Sequence, residues 1–329
     1  MVEIVMTRAY ITIDTEYSAG FCTGRSSADR AENYARCIAC ITPEGPAGIG
    51  HQLQLLEQHG QKAVFFVDPM PALVWGIAAI EDVVGPIIEA GQDVELHCHT
   101  EWLALAGSDN PLASGRTGQN IADFPIDEQF ELLHFARDAL VAAGAPPPVA
   151  FRAGNYGAND DTLKVLADLG LAYDSSHTPA LPGACRVSLG PKDRDPLIHH
   201  GIIEVPVGTI GTLNGGQRHA QITALTLAEM LAGVRHARDC GHGNFVLVSH
   251  SFELINRRRQ AINHVVARRF AGLLRELAKM RSVSTATFRD DPPQVAGGGV
   301  ASQPVPASPL RTGMRLAEQF VSNTLYGAL

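Results

Sequence analysis

Apolar positions along this chain change their spacing repeatedly, and each change marks an element. Ala9–Asp14 (AYITID), Lys62–Val67 (KAVFFV), the run from Val94, Val149–Arg152, Leu171–Asp174, Ile202–Val207 and Asn244–Ser249 (NFVLVS) are brief β-branched or aromatic stretches and read as strands. Between them apolar residues recur at helical spacing over Gly48–His59, Ile77–Ala90 with a kink at Pro86, Asp127–Ala143, Asp160–Leu169 capped by Asp160 and Asp161, Thr226–Cys240 and Gln260–Met280. Gly60, Gly91 and Gly170 each stop a helix. Strand and helix patterns alternate at least six times, which predicts a parallel α/β sheet with right-handed crossovers. Closed into a barrel, that sheet would bring every strand's C-terminal end to one mouth. Glu16–Gly50 and Trp102–Phe124 are polar and rich in Gly and Ser, and read as covering loops.

Length and composition narrow the function classes. The 329 residues suit one barrel-type domain over 1–290, followed by a low-complexity linker (PPQVAGGGVASQPVPASP) and a tail over 291–329. From Leu310 onward the tail reads as a docking helix with Leu316, Phe320 and Leu325 as its apolar side, or as a mobile end. A net charge of −8 without long basic runs excludes an electrostatic nucleic-acid footprint. No apolar run approaches the ~20 residues of a membrane span. The start, MVEIVMTRAYITID, lacks the pattern of a secretory leader, so a cytoplasmic, thiol-rich protein is expected, with the oligomeric state left open. Of six cysteines only Cys37 and Cys40 are closely paired, and without a second pair their burial is favoured over metal or redox roles.

Candidate chemistry centres on Val94–Trp102 (VELHCHTEW). Strand alternation puts Glu95, His97 and His99 on one face and Val94, Leu96 and Cys98 on the other. Glu101, beyond the strand, is placed to turn back toward His97; imidazoles and carboxylates are ordinary ligands of a divalent metal. The other ionisable residues at strand ends are Asp14 and Glu16 after the first strand, Arg152, Asp174, and His250 after NFVLVS. In a parallel barrel all of these share one pocket, as catalytic residues do in such folds. His177 reads as a structural or substrate-contact residue, Trp102 as packing with stacking on a ligand as its alternative, His134, His51 and His59 as surface or satisfied-core residues, and Arg257–Arg259 as a solvated face opening a helix.

In order along the chain, Thr12-Ile13-Asp14-Thr15-Glu16, His97 with His99 and Glu101, Phe151-Arg152-Ala153-Gly154-Asn155-Tyr156 and Leu247-Val248-Ser249-His250 resemble the polysaccharide deacetylases of carbohydrate esterase family 4. The similarity runs from about Ala9 to about Leu254. It implies a distorted barrel of seven or eight strands and one metal, zinc foremost, used to hydrolyse N-acetyl groups; with no secretory leader expected, an amino sugar or soluble saccharide precursor is the expected substrate. Residue by residue, it implies Asp14 as general base, Arg152 as the group orienting it, Tyr156 near the oxyanion-binding backbone amide and His250 as general acid. Thr15 stands where the family usually has its metal aspartate, so Glu16, on the same face as Asp14, becomes the acidic ligand. His97 is the second ligand. The family's second histidine of the His-x-x-x-His pair is Glu101 here, and the third ligand is either His99 or Glu101. Two rival readings keep the fold: hydrolysis of another linear or cyclic amide, and a carbohydrate-binding protein that has lost catalysis through the changes at Thr15 and Glu101.

Overall fold

The computed structural model describes residues 6–295 and 302–326; the glycine-rich centre of the expected linker lies outside them. A nine-stranded sheet curls around the molecule. Its path runs from Asn244–His250 to Thr7–Thr15, Val64–Val67, Asp93–Cys98, Ala150–Ala153, Tyr173–Asp174, Ile202–Glu204 and Leu197–His199, with Val283–Thr285 also on the first strand. Every pairing is parallel except that of Leu197–His199 with Ile202–Glu204. The expected strand Ile202–Val207 stops at Glu204, yet its continuation draws the barrel together. Val205 N donates to Asp174 O (2.7 Å), Val207 N to His177 O (3.0 Å) and Gly208 N to Val246 O (3.0 Å). A Cβ on Gly208 would lie 2.6 Å from Val246 O, so only glycine permits that approach.

Alternation sorts the two faces as expected. Ile11, Ile13, Phe65, Val94, Leu96, Cys98 and Phe151 face outward into one large apolar cluster shared with the surrounding helices. Tyr10, Val64, Phe66, Ala150, Val246 and Phe288 form a smaller cluster on the inner face, with Phe288 against both Tyr10 (5.3 Å between ring centroids) and Phe66 (5.8 Å). This apolar plug leaves the C-terminal strand ends for polar residues. Cys37 and Cys40 are buried free thiols, and Trp102 is a fully buried packing residue against Trp75.

Several expectations need correction. The expected loop Glu16–Gly50 contains a helix, Ser27–Cys37, opened by a capping box between Ser26 and Asp29. It shows no apolar stripe because the residues it buries are Asn33 and Cys37; Asn33 is tied to both backbone groups of Ser18. Asn159 caps the Asp160–Asp168 helix, with the two aspartates in its first turn. The helix expected over Ile77–Ala90 spans Ala78–Glu89 and contains Pro86. The last barrel helix is His264–Leu277, capped by Asn263, and Arg257–Arg259 lie in the turn of a preceding hairpin, Ile255–Asn256 with Ala261–Ile262. The tail forms a helix, Pro309–Tyr326, that docks by its polar side: Arg269 pairs with Glu318 (2.8 Å) and Asn263 donates to Ser322 Oγ (2.9 Å). Leu316, Phe320 and Leu325, expected to face the barrel, are instead exposed. Among the described residues no helix is long and apolar enough to cross a membrane.

Candidate active site

Three elements bring Glu16, His97 and His99 together. Glu16 immediately follows the first strand, His97 is on the Asp93–Cys98 strand and His99 is the residue where that strand turns into a helical turn at Thr100–Trp102. Glu16 Oε2 lies 2.5 Å from His99 Nε2 and 3.3 Å from His97 Nε2. The opposite ring nitrogens are fixed: His97 Nδ1–H donates to the Arg152 carbonyl (2.7 Å) and His99 Nδ1–H to Glu101 Oε2 (3.1 Å). A carbonyl oxygen only accepts, so the neutral His97 ring presents a lone pair to a carboxylate. The same holds for a neutral His99. Glu16 Oε2 is buried without an aligned hydrogen bond. Three acceptors converging on one point require a positive charge there, supplied by a proton or by a metal ion. Without a metal, His99 takes the proton: burial opposes its charging, but the Glu16 and Glu101 carboxylates outweigh that and raise its pKa well above the ordinary value. Burial likewise opposes the charge on Glu16, and His99 and His97 overcome it to hold the carboxyl well below the usual range. Two imidazoles and a carboxylate, with the far ring nitrogens anchored by a carbonyl and a second carboxylate, fit a borderline divalent ion such as zinc.

The third-ligand alternatives separate here. His99 joins the cluster, while Glu101 stands behind it, holding His99 and accepting from Asn155 Nδ2 (2.9 Å). Gly154 permits the arrangement, since a Cβ there would lie 2.8 Å from the His99 ring and 2.7 Å from Cys98 O. Asn155 and Tyr156 follow with φ of 55° and 57°, the left-handed conformation in two successive non-glycine residues. Tyr156 thus turns beside the site, its buried hydroxyl unpartnered.

Asp14 is held beside this cluster. Arg152, fully buried, donates through Nη1 to Asp14 Oδ1 (2.6 Å) and Thr12 Oγ1 (2.9 Å), and through Nε and Nη2 to the carbonyl and hydroxyl of Ser175 (3.1 Å each). Its guanidinium lies over the Phe66 ring, 4.4 Å from the centroid, so the apolar plug also supports the ion pair. Asp14 Oδ2 remains 3.8 Å from His250 Nε2. His250 Nδ1 is held at 3.2 Å by Glu253, whose Oε1 also accepts from Thr223 and Gln221. Burial disfavours the imidazolium of His250, but Glu253 and then Asp14 raise its pKa to about 9. Asp174, grouped with the mouth residues by sequence position, lies one layer below: it accepts from Ser176 Oγ (2.7 Å), beside Glu204. Burial raises both carboxyls; Asp174 pushes Glu204 up further, whereas the hydrogen bond with Glu204 opposes the rise at Asp174. His177 has a structural part, its ring on the Gly190 carbonyl (3.1 Å).

The sequence reading missed Asp68, Glu253 and Gln221. Asp68 follows KAVFFV as Asp14 ends AYITID, so its strand-end position was the available signal. Its Oδ1 accepts from Met70 N and His99 N, and burial raises its pKa to about 6. Glu253 and Gln221 lie in irregular segments, where no periodicity points to them. A groove of about 560 Å³ opens beside Glu253, lined by Phe21, Thr223, Phe252, Arg257 and Arg258. Arg257 covers the Phe252 ring at 3.8 Å from its centroid.

No family model and no curated protein matches the sequence. Similarity appears at the level of structure. A Mycobacterium smegmatis protein provisionally titled a polysaccharide deacetylase superposes with a TM-score of 0.57 at 17% identity, over 91% of this chain and 96% of that one. A family 4 carbohydrate esterase from Streptomyces lividans, in complex with acetate, covers 91% of this chain and 98% of its own, with a TM-score of 0.46 and 14% identity. A family 4 pseudoenzyme from Bacillus anthracis gives 0.40 at 12% identity, over 89% of this chain and 68% of its own. The first of these carries the conclusion, and it agrees with the order of motifs along the chain: this protein has the distorted α/β barrel fold of the polysaccharide deacetylases.

Proposed function

We propose that this protein is a metal-dependent hydrolase that removes an N-acyl group, acetyl in the first instance, from an amino sugar or soluble saccharide precursor. One observation carries the reading: an aspartate aimed by a buried arginine stands between a Glu16–His97–His99 cluster and a histidine held by its own carboxylate.

A divalent ion held by Glu16, His97 and His99 would supply Lewis acidity, which polarises the amide carbonyl and lowers the pKa of water from ~15.7 toward ~7. The remaining work falls to the chain. Arg152 occupies Asp14 Oδ1 and leaves Oδ2 facing the mouth, where it takes the proton of the attacking water. The turn at Asn155 and Tyr156 supplies the backbone N–H assigned to the developing oxyanion, a donor of the kind worth about 3 kcal/mol. An amine leaves poorly unless protonated. His250, held on Nδ1 by Glu253, donates from Nε2 to that nitrogen. The aromatic and arginine-lined groove beside Glu253 suits the rest of a saccharide, whose ring faces stack on such surfaces.

The test is acetate release from N-acetylglucosamine oligomers by zinc-loaded protein, with bound metal measured alongside. Asp14→Asn should lose activity by about 10²–10⁴-fold and keep the metal; His97→Ala should lose both. A wild type that binds metal but releases no acetate, while opening a cyclic amide, would replace the substrate class. One that binds sugar with neither metal nor turnover would replace the enzyme reading.

A further inference from the structure

At the opposite end of the barrel a second group of ligand-type side chains comes together: His236, Cys240 and His242, whose donor atoms lie within 4.8 Å of one another. The way the helix Leu227–Asp239 ends accounts for it. His236 and Cys240 are four residues apart and therefore share a face of the last turn. Gly241, at φ 73°, turns the chain in the left-handed conformation, with Gly241 N bonded to Arg238 O and His242 N to Ala237 O (2.7 Å). In such a cap the residue after the glycine folds back over the helix, a position usually given to an apolar side chain. Here it is a histidine, its ring 6.0 Å from that of His236.

Three further observations distinguish this group from an ordinary surface cluster. His242 Nε2 is buried and has no hydrogen-bond partner. His236 Nε2–H donates to the Gln303 carbonyl (3.0 Å), which fixes the tautomer and leaves Nδ1 free, with Cys240 Sγ against the ring at 3.7 Å from Nδ1 and 3.8 Å from Nε2. The sulfur–Nδ1 distance is near the roughly 3.5 Å of a thiolate and an imidazole nitrogen sharing a tetrahedral ion, and turning the ring would point the Nδ1 lone pair at that ion. Both histidines, though not Cys240, also line a cavity of about 40 Å³ together with Arg194, Asp195, Ser302 and Gln303, enough for an ion's remaining water. The group is anchored from below, since Thr7 Oγ1 donates to His242 O and Arg8 N to Gly243 O.

We propose that His236, Cys240 and His242 form a second metal site, for a thiophilic ion of the zinc class, with a fourth position left to water. A short rotation of the His236 ring and deprotonation of the exposed Cys240 complete the set. A bound ion would clamp the end of this helix to the start of the Asn244–His250 strand and, through His236 and Gln303, to the 302–305 segment. The strand's seven residues separate it by about 20 Å from His250, so it is not part of the catalytic mouth.

Cobalt(II) separates the two sites, because only this one offers sulfur. Full-length, chelator-stripped protein titrated with Co²⁺ should take up two ions per chain and develop a near-ultraviolet thiolate-to-cobalt charge-transfer band, which Zn²⁺ then bleaches. Cys240→Ser should abolish the band and reduce uptake to one ion while leaving hydrolase activity unchanged, and His242→Ala should weaken Co²⁺ binding at least tenfold as read by the band. His97→Ala, altered only at the mouth, should keep the band. Absence of a thiolate band in the wild type, or its persistence at full strength in Cys240→Ser, overturns the proposal.

Discussion

Glu253→Gln tests the central electrostatic argument, that a carboxylate outside the recognised motifs keeps His250 protonated. Glu253 touches Nδ1 of His250 at 3.2 Å and accepts its backbone N–H at 3.2 Å. Its charge is the largest influence opposing burial, and with Asp14 it brings the imidazolium to about 9. Glutamine preserves shape and removes charge, so His250 should titrate near the ordinary value of about 6.5 or below it. At pH 7.5 the protonated fraction then falls from nearly all to about one tenth, and kcat/KM should fall about tenfold. The alkaline limb of the kcat/KM profile on an N-acetyl sugar should move from near 9 to near 6.5, with much of the lost activity returning as the pH is lowered toward 6. Stability follows the same sign. A histidine whose pKa is raised on folding stabilises the native state fully below its unfolded value of about 6.5 and loses that contribution as pH rises through about 9. The difference corresponds to about 3 kcal/mol at full strength. Glu253→Gln should therefore bring denaturation midpoints closer to wild type at pH 9.5 than at pH 6. An imidazole NMR titration of His250 reads the shift without substrate. A variant whose His250 titrates with the wild type, or whose alkaline limb stays in place, refutes the reasoning.

Three other outcomes are expected. Glu101→Gln removes the carboxylate behind His99 and should weaken metal binding about 10- to 100-fold by calorimetry, the usual effect of losing a residue that orients a ligand. Gly154→Ala places a methyl group 2.8 Å from the His99 ring; thermal melts and metal titration should show about 1–3 kcal/mol of destabilisation together with weaker metal binding, whereas Gly313→Ala, on the docked tail helix with open space around it, should do neither. Arg152→Met leaves the Asp14 carboxylate buried without its cation and should cost about 3–5 kcal/mol in urea unfolding, with activity lost.

Much of the barrel could be read from the chain because strand alternation is a local property. The period of two that sent Val94, Leu96 and Cys98 outward also sent His97 inward, and short β-branched runs ending in acids and histidines marked the mouth. Hidden features shared a different physics. The Ser27–Cys37 helix leaves no periodic signal in the sequence because it packs through Asn33 rather than through an apolar stripe. The tail docks by the side opposite to the expected one because periodicity shows that a helix has two faces but not which one docks. Arg269 and Asn263 provided polar partners that held the polar face.

By itself, then, the sequence determined the alternating architecture, the strand-end positions of Asp14, Glu16, His97, Arg152 and His250, and the ligand types on offer, because each depends on spacing over a few residues. Tertiary structure decided among equals. His99 meets Glu16 while Glu101 stands behind it, Asp174 sits a layer too deep, and Glu253 approaches His250 from an irregular segment. These outcomes depend on where the chain turns after a strand ends, and at that point contacts with distant segments, such as the close approach of Gly154 to His99, outweigh any local preference.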